Sequence, residues 1–260
     1  MKIISLAHGE RSRARVFRNR NFHNWKEFAI YVGAPKPGEK EGECFLQCTL
    51  KSSGPKQKAD GKTTATNRFL ENVQAMSVLV YDVDTGQDPT GVIEKLKTEG
   101  LGFVAYSSFS DTSEFRKTRF CIKLSEPFAI GDDLRQAKLT WKQIYHGIGN
   151  HLGIEYDKAC SDLTRVFFTA RFPPEADLDS RLFEWRDGAG LELSAWIERA
   201  DRGEFDHLLA KPPLSSRMTT QHERPQSANV TVEGVNLSRW AKATAGKFLL
   251  NDIVRTNNPH

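Results

Sequence analysis

Cysteine is scarce in this 260-residue sequence, and long apolar runs are missing altogether. Four cysteines (Cys44, Cys48, Cys121 and Cys160) are too few for a disulfide-built domain and fit a reducing compartment. No apolar run approaches the roughly 18 residues of a membrane-spanning helix, and the apolar start of the chain is too short for a secretory signal. With 19 glycines and 11 prolines the chain is neither collagen-like nor of low complexity. We therefore expect a soluble, cytoplasmic, mostly globular protein with no membrane partner.

Positive charge is concentrated at the start of the chain. Residues 1–70 hold 14 Lys and Arg against 6 Asp and Glu, although the whole chain carries only +4. Clustered basic side chains neutralise phosphates, and aromatic rings between them can stack on bases. The segment therefore predicts a nucleic-acid-binding surface, with a solvated basic strand or arm as the alternative. Its arginines are Arg11, Arg13, Arg15, Arg18 and Arg20, and its aromatic residues are Phe17, Phe22 and Trp25.

Apolar periodicity predicts an α+β fold. A short helix at 22–32 and a strand at 44–50 form an N-terminal α/β extension. The following pattern is β-α-β-β-α-β, which is the order of a ferredoxin-like or RRM-like palm. Its predicted strands are 76–83, 102–108, 118–124 and 164–169, and its helices are 88–100 and 132–153.

The domain organisation follows from composition. Residues 1–205 are predicted to form one domain, with the palm at about 72–175. Residues 206–235 are rich in Pro, Ser, Thr and Gln, which is typical of a linker. Residues 236–260 begin a helical pattern that the end of the sequence interrupts.

Two carboxylates at the end of the first palm strand carry the chemistry. Asp82 and Asp84 lie at i and i+2, so their side chains share one strand face with Cα atoms about 7 Å apart. Such a pair can hold one divalent ion or two neighbouring ions, and the local sequence offers no cation on that face. A third carboxylate is available at Asp157, with Asp162 as its competitor. The alternative is that these acids are turn and cap residues.

Basic side chains on the later strands complete the predicted site. Arg119 and Lys123 share one face of the third strand, and Arg165 begins the fourth. Cations beside acid-bound metal ions suit a triphosphate, whose charge must be neutralised on several sides.

Four motifs in order resemble the archaeo-eukaryotic primase superfamily, and most of all the primase-polymerase domains of phage and plasmid replication proteins. The resemblance covers about residues 25–174. The motifs are LVYDVD (79–84), FVAYSS (103–108), TRFCIKLSEP (118–127) and LGIEYD (152–157), the last followed by LTRVFF (163–168). One departure concerns the middle motif, where the family usually carries a histidine and this chain has Thr118-Arg119-Phe120.

The resemblance implies a template-dependent, DNA-directed nucleotidyltransferase, a primase or a primer-extending polymerase. It further implies that Asp82, Asp84 and Asp157 bind two Mg²⁺ or Mn²⁺ ions. The nucleotide would be bound by Arg119, Lys123, Arg165 and Ser108. The implied partners are a single-stranded or primed DNA template, nucleoside triphosphates and a helicase fused or recruited beyond the C-terminus. The implied setting is a phage or plasmid replication system in a bacterial host.

Three alternatives remain open. Asp82 could be the nucleophile and Asp84 the acid/base of a haloacid-dehalogenase-like phosphohydrolase, with residues 130–133 as its second acidic motif. The chain could also be a non-catalytic, nucleic-acid-binding replication initiator. Cys44 and Cys48 could be half of a zinc site, although without a second ligand pair buried thiols are the expectation.

Overall fold

The computed structural model describes residues 4–54, 63–209, 231–232 and 235–236. Contacts within the chain divide it into two units, residues 1–210 and residues 211–260. In the second unit, Thr231–Val232 and Val235–Asn236 form a short antiparallel hairpin. Residues 210–230, 233–234 and 237–260, which hold most of the predicted linker and of the predicted helical segment, lie outside the described residues.

The first unit is a mixture of strands and helices. The strands are β1 (Ile4–Gly9), β2 (Arg18–Phe22), β3 (Lys36–Pro37), β4 (Cys44–Leu46), β5 (Cys48–Leu50), β6 (Val73–Gly86), β7 (Phe103–Ser107), β8 (Arg116–Ala129), β9 (Val166–Phe168), β10 (Arg171–Phe172) and β11 (Phe183–Arg186). The helices are α1 (Trp25–Gly33), α2 (Thr90–Thr98), α3 (Leu134–Leu152), α4 (Ser194–Asp201) and α5 (Asp206–Leu209). None of the described helices combines the length and apolar character needed to cross a bilayer.

A five-stranded antiparallel sheet of order β11-β7-β8-β6-β5 forms the centre of this unit. Strands β6 and β8 pair over most of their length, with Leu79 opposite Ile122 and Asp82 opposite Arg119. Helix α2 connects β6 to β7, and α3 follows β8, which matches a split β-α-β unit with β8 between β6 and β7. The α+β class is confirmed, and the five elements from β6 to α3 follow in the predicted order.

The fourth palm strand lies in a different sheet. Strand β9 pairs with β4 in a four-stranded sheet of order β2-β1-β4-β9, and β5 occupies the edge of β6 where the fourth strand was predicted. The chain changes sheets between β4 and β5 at Gln47, which is fully buried. The Gln47 side-chain amide donates to the carbonyls of Cys160 and Asp162. A ferredoxin-like order predicts residues 164–169 close to the first palm strand within one sheet. That placement is wrong, because β5 fills this edge of β6 and β9 lies in the other sheet.

The two faces of β6 pack against different layers. The Tyr81 hydroxyl donates to the Tyr145 carbonyl, so this face of the strand contacts α3. On the opposite face, Asp82 lies beside Arg119, whose guanidinium is 5.5 Å from the ring centre of Phe167 in the four-stranded sheet. Asp82, the first residue of the acid pair, therefore lies on the face of β6 that is turned toward the four-stranded sheet.

The arginine-rich segment forms a hairpin that is part of the core. Strands β1 and β2 pair with His8 opposite Arg18, and the loop between them returns over Gly9. The rings predicted to stack on bases are buried, with exposures of 1% for Phe17, 0% for Phe22 and 2% for Trp25. The prediction that these three rings stack on bases is wrong, because they fill the hydrophobic core.

Candidate functional site

Asp82 is paired with a buried cation. Its Oδ1 accepts from Nη2 of Arg119 at 2.8 Å and from Nε at 3.1 Å. The pair follows from the strand register, which places the two residues directly opposite each other on β6 and β8. The expectation that no cation faces Asp82 is therefore wrong, because sequence neighbours do not reveal the cross-strand partner.

Arg119 also connects β9 to the central sheet by a hydrogen bond. Its Nη1 donates to the Phe168 carbonyl at 2.7 Å and contacts the Tyr106 hydroxyl at 3.4 Å. Burial alone would lower the pKa of Arg119, but the Asp82 carboxylate and the Tyr106 hydroxyl raise it above its ordinary value. The guanidinium is thus a charged, nearly buried link between the two sheets, with a side-chain exposure of 8%.

Asp84 lies at the solvent end of the same strand face. Its side chain is 54% exposed, and Nζ of Lys117 is 3.4 Å from its Oδ1. Lys117 also lies 5.7 Å from the ring centre of Phe115, an exposed aromatic residue. Lys117 precedes Arg119 by two residues and Asp84 follows Asp82 by two, so the two ion pairs lie next to each other once β6 and β8 pair.

Asp157 lies next to the acid pair through its backbone. Its N–H donates to the Asp82 carbonyl at 2.9 Å. Its side chain accepts from the N–H of Ala159, which caps a 3₁₀ turn, and contacts Nη2 of Arg165 at 3.3 Å. The competitor Asp162 instead accepts from the N–H and the hydroxyl of Thr164, which is the role of a turn residue.

An aromatic cluster supports this side of the site. The rings of Tyr81 and Tyr145 pack at a tilt with their centres 4.4 Å apart, and Tyr156 packs against both. The Tyr156 hydroxyl contacts Nδ1 of His146 at 2.7 Å. Burial lowers the pKa of His146 to about 4, with the nearby charges of Lys142 and Lys158 contributing.

The donor chemistry of the three acids suits a hard divalent cation. Carboxylate oxygens are the preferred protein ligands of Mg²⁺ and Mn²⁺. In the part of the chain that the structure describes, however, no three His, Cys, Asp or Glu side chains are grouped so that they could hold a metal ion. The site therefore has the acids for a cation site, and each acid contacts a basic side chain instead.

The other predicted nucleotide ligands are placed differently. Lys123 contacts Asp187 at 2.8 Å and lies four residues beyond Arg119 on β8, about 13 Å along the strand. Ser108 donates its N–H to the Lys117 carbonyl, so it stands near the Asp84 end of the site. The structure thus brings Ser108 and Arg165 close to the acids and leaves Lys123 apart from them.

The predicted arginines of the first hairpin form a separate basic surface. Arg11, Arg13, Arg15 and Arg18 are exposed and line a pocket of about 430 Å³. Arg20 instead covers the ring of Tyr31 at 4.3 Å. We call the surface formed by Arg11, Arg13, Arg15 and Arg18 and the loop that carries them the arginine hairpin.

Two alternatives lose their geometric support. Residues 130–133 follow the end of β8 that pairs with Ala75, seven residues from Asp82 and roughly 23 Å along the sheet. They are too far from Asp82 to share a phosphohydrolase site with it. Cys44 and Cys48 are buried free thiols on different strands, which confirms the expectation for these cysteines.

No family model matches the chain, and the comparison with curated proteins finds no match. Among solved structures, the chain is similar to the AEP domain (PP-N190) of the primase-polymerase (PrimPol) of cyanophage S-2L. The identity is 8%, the similarity covers 61% of this chain and 69% of that chain, and the TM-score is 0.36. A similarity at this level shows neither an activity nor a ligand.

Proposed function

We propose that this chain is a DNA-directed nucleotidyltransferase, a primase or primer-extending polymerase, that works at Asp82, Asp84 and Asp157. The observation that carries the proposal is the hydrogen bond from the Asp157 N–H to the Asp82 carbonyl. It brings an acid from the turn after α3 next to the acid pair of β6, although the two come from distant parts of the sequence. The order of the four sequence motifs supports the same activity.

The charges around the acids suit this chemistry. Each carboxylate contacts a basic side chain, in the pairs Asp82–Arg119, Asp84–Lys117 and Asp157–Arg165. In nucleotidyl transfer, a hydroxyl oxygen forms a bond to the α-phosphorus of a triphosphate, the bond to the bridging oxygen breaks, and pyrophosphate leaves. Cations beside the acids would neutralise the charge that collects on the leaving phosphates.

The basic residues have different parts in this proposal. Arg165 is 42% exposed and is the cation best placed to reach a phosphate beside Asp157. Arg119 is buried and would position Asp82 and β9, and Ser108 would stand at the nucleotide near Lys117. Lys123 would contribute least, since Asp187 already binds it.

The cofactor and partners belong to the same proposal. We propose Mg²⁺ or Mn²⁺ as the cofactor, with carboxylate ligands from the three acids. The arginine hairpin would contact a single-stranded or primed DNA template through its phosphates. The motif resemblance supports a role in phage or plasmid replication, with a fused or recruited helicase as a partner.

Primer extension with Mg²⁺ or Mn²⁺ tests the activity. We expect Asp84→Asn and Asp157→Asn each to reduce nucleotide incorporation at least a hundredfold, about 2.7 kcal/mol in the barrier. The matched control is Asp187→Asn, which removes an ion-paired acid beside Lys123 and should retain wild-type incorporation. A damaging Asp162→Asn together with a neutral Asp157→Asn would assign the third acid to Asp162.

Cation binding can be measured without activity. Electron paramagnetic resonance of Mn²⁺ should show binding by the wild type that Asp84→Asn weakens and Asp187→Asn does not. If the wild type binds no Mn²⁺ even with primed DNA and nucleotide present, the cofactor proposal is wrong.

A second candidate function is a non-catalytic replication initiator, which the exposed arginine hairpin favours. A wild-type protein that binds primed DNA and incorporates no nucleotide with either metal would support this function over the first.

A further inference from the structure

A second positively charged region lies beside the site, between α3 and the turn that follows it. It is a cleft of about 470 Å³ that we call the basic cleft. Its basic side chains are Arg68, Lys138, Lys142, Lys158 and Arg165, and among the described residues that line it Asp162 alone is acidic.

The cations of the basic cleft come from several elements. Lys138 and Lys142 are one turn apart on α3, so they share a helix face with a rise of about 6 Å between them. Lys158 begins the 3₁₀ turn after Asp157, and Arg165 precedes β9. Arg68 comes from the segment before β6 and donates to the Thr164 carbonyl at 2.8 Å. A ligand that touches them all must therefore be extended.

Most of this charge is uncompensated. Within residues 4–54 and 63–209, the side chains of Lys138, Lys142 and Lys158 have neither a hydrogen bond nor an ion pair. Asp162 cannot compensate them fully, because it supplies one negative charge against five basic side chains. Like charges one helical turn apart also repel each other.

The positive field of the cleft reaches the buried layer below it. Lys142 and Lys158 contribute to lowering the pKa of His146, after burial. His146 lies one turn beyond Lys142 on α3. Both lysines therefore place positive charge beside His146.

We propose that the basic cleft binds a chain of phosphate groups from a single-stranded nucleic acid or a free polyphosphate. The nucleic-acid strand is the source that fits an extended ligand, and that choice rests on the proposed function. The cleft joins the acid site through Arg165, which lines the cleft and contacts Asp157. A strand in the cleft would therefore run up to the proposed reaction centre from the α3 side.

Equilibrium binding of a short oligothymidylate, followed by fluorescence anisotropy in EDTA, tests this proposal. The test variant is Lys138→Gln/Lys142→Gln. The matched control is Lys26→Gln/Lys40→Gln, which removes the same charge from two exposed lysines outside the cleft. We expect the test variant to bind about tenfold more weakly near physiological salt and its salt slope to fall by about 1.4, which corresponds to two lost phosphate contacts.

One further measurement distinguishes the two sources of phosphate. Titration with inorganic tripolyphosphate separates a free polyphosphate from a strand: loss of tripolyphosphate binding alone assigns the cleft to a free polyphosphate. If the test variant binds both probes like the control, the basic cleft is not a phosphate site. These measurements need no catalysis, so they test the cleft independently of the proposed function. The cleft can prove not to bind phosphate in a protein that extends primers, and it can bind phosphate in a protein that does not.

Discussion

At the scale of single residues, the pairing of Asp82 with Arg119 decides what a substitution there means. Removing Asp82 leaves the Arg119 guanidinium buried without its carboxylate, and breaking a buried pair on one side costs about 3 kcal/mol or more. We therefore expect Asp82→Ala to lower the free energy of unfolding by about 3 kcal/mol in urea denaturation. Asp84→Ala should change it by under about 0.5 kcal/mol, because Asp84 is mostly exposed.

A double variant checks the physical reason for this loss. Asp82→Leu/Arg119→Met removes both charges, and it should recover much of the stability that Asp82→Ala loses. Equal stability of Asp82→Ala and the wild type would show that the carboxylate does not stabilise Arg119. Asp84 is thus the better position for testing catalysis, since its substitution leaves the fold intact.

His146 should make stability depend on pH. Its folded pKa of about 4 lies below the ordinary value of 6.5, so between these values the unfolded chain binds a proton that the folded chain does not. Stability should therefore fall as the pH decreases from about 6.5 to 4, by about 3 kcal/mol from this residue. Urea denaturation at several pH values should show this extra loss in the wild type and not in His146→Gln. Parallel pH profiles for the two proteins would contradict it.

At the scale of elements, the sequence predicts what depends on local periodicity. The strands around Leu79 and Ile122 and the long helix α3 were found because their apolar positions repeat at strand and helix spacing. The sheet change at Gln47 was missed, because it depends on hydrogen bonds to Cys160 and Asp162, far along the chain. The spacing of Asp82 and Asp84 predicts that they share one strand face, whereas the cations beside them depend on the register of β6 and β8.

The first hairpin shows the same division between local pattern and packing. Because β1 and β2 belong to the four-stranded sheet, deletion of residues 1–20 should unfold the chain rather than remove an arm. Neutralising Arg11, Arg13, Arg15 and Arg18 to Gln should keep the melting temperature within about 2 °C, since these side chains are exposed. It should lower the salt slope of single-stranded DNA binding by up to about 2.8, if all four contact phosphates. An unchanged slope would exclude the arginine hairpin as a DNA contact.

At the scale of the whole molecule, all three charged regions belong to residues 1–210. The acid site, the basic cleft and the arginine hairpin are each built on strands or helices of this unit. The acid site alternates positive and negative side chains, whereas the other two regions are almost purely basic. This division suits one centre that handles reacting phosphates and two surfaces that hold phosphate backbones.

The boundary at residue 210 gives the last prediction. Residues 1–210 form a compact unit by their contacts, and the described hydrophobic core runs from Leu6 to Phe205. A chain that ends at Ala210 should therefore unfold in one cooperative transition. Its melting temperature should lie within about 3 °C of that of the main unfolding transition of the full chain. It should also keep the primer-extension activity, because every residue of the proposed site lies within it. Calorimetry and primer extension on the same preparation test both statements. A stable but inactive truncated chain, beside an active full chain, would show that the reaction needs residues 211–260. A melting temperature lower by more than about 6 °C would show that these residues contribute to the stability of the core.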